Sequence, residues 1–144
     1  MRQRLLDAGI TMDLSRGTSF QYAFANGSIS ALPKLDFASA SKLDNTFASA
    51  TVLASIDEIV VHENLTYSNT FGNCTSLTYL RVSGTIGQNF DVSPCPLDHD
   101  SLMSIINALK SGVSSKTLTL GEANLAKLTD AEKAIATQKG WTLL

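Results

Sequence analysis

The sequence predicts an α/β fold: a short right-handed solenoid with parallel strands, one per turn, closed by a C-terminal α/β cap. Three observations point there. Apolar-variable-apolar triplets recur as "MDL" at 12–14, "LDF" at 35–37, "IVV" at 59–61 and "LRV" at 80–82, and their first residues, Met12, Leu35, Ile59 and Leu80, lie 23, 24 and 21 positions apart. Further columns keep step with these anchors: large apolar Phe24, Phe47, Phe71 and Val92, small Gly27, Ala50, Cys74 and Cys95, and Leu32, Ile56 and Leu77 just ahead of the later triplets. Beyond residue 97 the apolar spacing becomes helical.

Alternation of apolar and variable residues describes a strand with one buried face, because successive side chains point to opposite sides. One such strand cannot bury its apolar face alone. Stacked copies would place Met12, Leu35, Ile59 and Leu80 in one column and the phenylalanines in another, while parallel pairing would satisfy the backbone. The expected array has four turns, residues 10–97.

Each end of such an array needs a cover. At the N-terminus, residues 1–9 offer about two turns of helix ending at Gly9, or the remnant of an upstream turn, so upstream repeats or a partner chain are expected to cover this end. At the other end, residues 98–144 read as a cap of helix, strand, helix and strand. Pro94 and Pro96 break the last turn, and Asp98 or Asp100 starts a helix with Leu102, Ile105, Ile106 and Leu109 on one face, stopped by Gly112. "KTLTL" at 116–120 alternates like a strand that continues the sheet. Thr129 and Glu132 form a capping box for a helix that stops at Gly140, after which Trp141 folds back, partly buried.

Composition excludes several classes of function. With 44% hydrophobic and 17% charged residues in 144, the chain suits one folded domain, and a net charge of −2 gives no reason to expect nucleic acid. No apolar run approaches the roughly 20 residues that span a bilayer, so no membrane insertion is expected, and "MRQRLLDAGI" lacks the apolar core of a signal peptide.

"LPKLDFASA", "IDEIVVHEN" and "LTYLRVSGT" fit the leading half of the leucine-rich repeat pattern, with Asn64 in its asparagine position and Gly17, Ala40 and Thr85 there in the other turns. "NTFGNCTSLTYLRVSGTIG", preceded by "NTFASATVLASIDEIVV", resembles the BspA-type leucine-rich repeats of bacterial surface and prophage-encoded proteins. "SLMSIINALK" and "LTLGEANLAKLTDAEKAIATQKGWTL" resemble the segment that closes many of them. The resemblance implies a leucine-rich repeat solenoid, an extracellular or cell-surface location, and a host or neighbouring-cell protein or a glycan as ligand.

Catalytic chemistry finds little support. Cys74 and Cys95 share one column, which leaves a disulfide geometrically open, but the small residues Gly27 and Ala50 in that column favour buried thiols. His99 between Asp98 and Asp100 is the one cluster that resembles a metal or acid/base site, and helix capping explains its aspartates better. The glycosylation triplets at Asn26, Asn64 and Asn73 carry no weight in a chain this rich in Asn, Ser and Thr. No nucleophile motif, phosphate-cradling loop or zinc spacing occurs, so no enzyme, cofactor or metal is expected.

The surface remains. Residues flanking the inward pairs should face out, making Asp13, Lys34, Asp36, Glu58, His62, Tyr79 and Arg81 the candidate binding strip, with His62 solvated. The expected function is non-catalytic recognition or adhesion through that strip. The alternative is a structural spacer or terminal cap of a larger cell-surface or phage-tail protein with no ligand of its own.

Overall fold

In the segment Ser55–Val61, Ile56, Ile59 and Val61 are buried, Asp57 is exposed, and Glu58 and Val60 are half-buried, so the strand turns one face into the core. This strand, β3, organises the first sheet. The structure is a computed structural model that describes residues 12–144, and the helix or remnant expected at residues 1–9 lies outside the described residues. β1 (Ala31–Leu32), β2 (Leu35–Asp36) and β4 (Tyr79–Gly84) each pair in parallel with β3. A second parallel sheet runs in the order β5 (Phe90–Asp91), β6 (Lys116–Thr119), β7 (Trp141–Leu143). Three helices follow or interrupt these strands: α1 (His99–Ala108), α2 (Glu122–Leu125) and α3 (Asp130–Gln138).

Between the strands, turn segments bond to one another along the chain. Phe24 N donates to Thr46 O at 2.8 Å, Phe47 N to Thr70 O at 3.0 Å, and Ser49 N to Gly72 O at 2.7 Å. The turns share an uncommon backbone: Tyr22, Asn45 and Asn69, then Asn26, Ser49 and Asn73, all have φ between 53° and 60°. Asparagine tolerates this left-handed region better than most residues, because its short amide can bond locally. Asn69 Nδ2 also donates to Asn45 Oδ1 at 2.8 Å, tying one turn to the next. Inside, Phe47 stacks on Phe24 at 5.5 Å and on Phe71 at 5.4 Å, with ring planes within 10° of parallel. The column then passes to Phe90 at 5.7 Å rather than to Val92, although Val92 is also buried.

The expected right-handed leucine-rich repeat solenoid, with one strand per turn, is not the fold. The chain forms a small mixed sheet-and-helix structure in which the described residues make two sheets, sparse strands and three helices. Several physical reasons separate it from the expectation. No strand forms at Met12–Leu14, and Met12 is only partly buried. Pro33, which has no N–H to donate, lies in the break between β1 and β2, so one repeat supplies two short strands. The register shifts between Ile56 and Ile59, so Leu80 pairs with Ile56 and Ile59 pairs with Val82. Leu35 and Ile59 do share a rung, but the anchor column proposed from spacing does not run through Leu80. Finally, "KTLTL" does not continue the first sheet; it pairs with β5 to build the second.

The C-terminal helices are local in origin. Asp98 caps α1 by accepting from Ser101 N at 2.8 Å, and the helix ends at Ala108 with Leu109 as its C-cap, ahead of Gly112. Thr129 and Glu132 form the capping box of α3, accepting reciprocally from each other's backbone N–H. Gly140 has φ 99°, and a Cβ there would collide with Val113 O, so glycine is required before β7. Trp141 is fully buried and donates from Nε1 to Lys110 O at 2.9 Å. Lys139 Nζ donates to Ile106 O and Asn107 O, where carbonyls at the end of α1 need partners. The short helix α2 was not foreseen; its Asn124 is buried and donates to Cys95 O and Leu120 O at 2.8 and 2.9 Å.

Truncating the middle ring of the stack tests this core. Phe47→Ala should cost about 3–5 kcal/mol of unfolding free energy in urea, because Phe47 is fully buried between two rings. A loss below about 1 kcal/mol would contradict the packing described.

Candidate functional site

The exposed face of the first sheet collects most of the expected strip, but its side chains spend their polar groups in three different ways. Asp13 and Asp36 turn back on their own loops: Asp13 Oδ1 accepts from Ser15 N at 3.0 Å and Asp36 Oδ1 from Ala38 N at 2.9 Å. The Ser15 hydroxyl and amide hold the Asp13 carboxyl below its ordinary value. Lys34, in the break between β1 and β2, pairs with Glu58 on β3 at 3.6 Å, and Glu58 also accepts from the Ser83 hydroxyl on β4. Tyr79 and Arg81 form one unit, with the guanidinium 4.0 Å above the ring centroid.

Arg81 is anchored as well as stacked. Its Nη1 donates to Asp98 Oδ1 at 3.2 Å and to the Ser101 hydroxyl, so it bridges β4 to the N-terminus of α1. Burial alone would raise the Asp98 carboxyl, but the Ser101 hydroxyl and amide, then Arg81, outweigh it and hold Asp98 below its usual 3.8. Tyr79 remains exposed on the sheet surface.

His62 is not the solvated outward residue expected. It lies just past β3, half-buried, with Nε2 donating to Ala40 O at 2.6 Å while Nδ1 accepts from Asn64 N at 3.3 Å. The strip therefore comprises two pairs, Lys34 with Glu58 and Tyr79 with Arg81, with Asp13 and Asp36 closing loops and His62 closing a turn.

Cys74 and Cys95 are both free and buried. Cys74 donates from Sγ to Phe47 O at 3.0 Å, and burial pushes its thiol up to about 11; burial, with Cys74 and Asp91 nearby, pushes Cys95 up as well. Neither is an activated thiolate. His99 joins two helices: Nε2 lies 2.6 Å from Glu132 Oε2 and Nδ1 lies 3.5 Å from Asp100 Oδ1. Among the described residues, no group of three or more His, Cys, Asp or Glu side chains is placed to hold a metal ion. Nor is any helix there long and apolar enough to cross a membrane.

A second surface escaped the sequence reading. A cavity of about 430 Å³ opens between the second sheet and residues 66–69, lined also by residues 88–91 and by Thr117 and Thr119. Its signal was present as polar-apolar-polar triplets, Thr66-Tyr67-Ser68, Asn89-Phe90-Asp91 and Thr117-Leu118-Thr119, whose central residues are buried. Comparison of the chain with protein-family models, curated proteins and solved structures found no match.

Two measurements probe the charged contacts. Arg81→Ala should lower unfolding free energy by about 1 kcal/mol, since it removes a stacked, bonded cation that solvent only partly screens. The His99–Glu132 pair should make stability depend on pH. Glu132 and then Asp100 raise His99 above 6.5, so its contribution is complete below pH 6.5 and fades as pH rises through the folded value. The Thr129 amide, then His99, lower Glu132 below 4.5, so its contribution is present above pH 4.5 and fades as pH falls through the folded value. The melting-temperature gap between wild type and His99→Gln should therefore be widest between pH 4.5 and 6.5 and shrink at pH 8. A gap that does not change with pH would remove the pairing.

Proposed function

We propose that this chain is a non-catalytic recognition module that holds a protein partner against the exposed face of its first sheet. The observation that carries the reading is the Tyr79–Arg81 pair: an exposed aromatic ring with a guanidinium stacked on it and held from behind by Asp98. Tyrosine and arginine are the residue types that concentrate binding energy at interfaces. A side chain already held in place loses less conformational freedom when a partner docks. Lys34 and Glu58 beside it add one charge of each sign, which favours a mixed polar surface over a phosphate-rich one. The buried, unactivated state of both thiols supports a role without covalent chemistry.

The likeness of residues 45–61 and 69–87 to BspA-type repeats supports a bacterial cell-surface or extracellular setting. A second reading, a spacer or terminal cap with no ligand of its own, draws on a different fact: Arg81 and Glu58 already have partners within the chain. Such ties are what a purely structural surface would contain.

The two readings part on one experiment. Tyr79→Ala combined with Lys34→Ala leaves the Arg81–Asp98 bridge in place, so the melting temperature should stay within about 2 °C of wild type. Attachment of the labelled protein to a panel of whole bacterial and epithelial cells should fall at least tenfold. Equal attachment by both proteins, or none by either, would favour the spacer.

A further inference from the structure

We infer that the cavity beside the second sheet is a binding site for an uncharged carbohydrate. This does not depend on the protein-contact reading, because the cavity involves β5, β6 and residues 66–69 and none of Lys34, Glu58, Tyr79 or Arg81.

The chemistry of the lining selects the ligand class. Its 430 Å³ lies at the small end of the ~300–1,000 Å³ typical of ligand pockets, which suits one or two sugar rings. Among the described residues no lysine or arginine lines it, and the Lys116 ammonium beside it is already bound to Gln88 Oε1 at 2.8 Å, so a phosphate or sulfate would have to displace that bond to gain a countercharge. Asp91 is the only ionisable carboxylate in the lining, and its Oδ1 already accepts from the Ser93 amide and hydroxyl at 2.9 and 2.7 Å. The other polar groups are neutral amides and hydroxyls, matching a ligand that offers many hydroxyls and no charge.

The amides are also oriented by the protein. Asn89 Oδ1 accepts from Thr117 N at 2.9 Å, and Gln88 Oε1 accepts from Lys116 Nζ at 2.8 Å. With both carbonyl oxygens engaged, the two –NH₂ groups remain as donors in fixed positions. Thr117 and Thr119 flank the inward Leu118 on β6, so their hydroxyls stand on the opposite side of the strand and can both donate and accept.

Tyr67 backs the cavity from the core side: its ring packs edge-on against Phe90 at 4.8 Å, and its hydroxyl is buried, so the groups that meet a ligand are the outward amides and hydroxyls on either side of it.

The test uses the full chain in solution, titrated with neutral methyl glycosides and disaccharides and, in parallel, with sialylated oligosaccharides, while backbone amide shifts are followed by NMR. Saturable shifts confined to residues 66–69, 88–91 and 117–119 with a neutral sugar are expected. Thr117→Val with Thr119→Val, which removes two lining hydroxyls without changing shape, should weaken that binding at least tenfold while the melting temperature holds or rises. Binding equal to wild type in this variant would overturn the assignment, as would shifts produced by the sialylated sugars alone or by no sugar at all. Shifts confined to the Tyr79 face would also overturn it, while leaving the protein-contact reading to its own experiment.

Discussion

Phe47 lies between Phe24 and Phe71 with its ring nearly parallel to both, and the backbone on either side of it donates to the next turn segment. These two facts belong together. Rings about 5.5 Å apart bring their backbones to the separation at which amide and carbonyl meet, so stacking and hydrogen bonding reinforce each other. The left-handed residues at 22, 45 and 69 and at 26, 49 and 73 turn the chain back each time so that the next phenylalanine arrives above the last. Both candidate binding surfaces are placed by this arrangement: one precedes each turn along the first sheet, the other follows beside Tyr67 and Phe90.

How much of this was legible depends on how local the cause is. The Phe24, Phe47 and Phe71 column could be read because its spacing is set by the turns it belongs to. The capping box at Thr129 and the cap at Asp98 could be read for the same reason: each acts within four residues. The pairing of Leu80 could not. A shift between Ile56 and Ile59 exchanges one inward partner for another without altering the apolar pattern, so Leu80 and Val82 both look equally suited to face Ile59. Likewise the partition into two sheets rests on β5 leaving β4 and meeting β6, residues some 28 positions away.

The candidate sites divide in the same manner. That Tyr79 and Lys34 face outward follows from alternation alone. That Arg81 is held by Asp98 and Ser101 depends on where α1 docks, and that His62 turns inward depends on Ala40 in the preceding repeat. The cavity was harder still, because a pocket lined by Asn, Gln and Thr has the composition of an ordinary surface. What distinguishes it is the direction in which the Asn89 and Gln88 carbonyls point, which depends on β6 lying alongside.

The outer edge of β4 meets a helix instead of another strand. Ser101 accepts from Leu80 N at 2.9 Å and Ser104 from Val82 N at 3.1 Å, so two hydroxyls on α1 stand where a neighbouring strand's carbonyls would be. Ser104 also returns a bond to Leu80 O. An extended peptide arriving at this side finds no free ladder to zip onto, and copies of the chain cannot polymerise edge to edge through it. Selectivity on the first sheet must then be written in side chains, not in main-chain pairing.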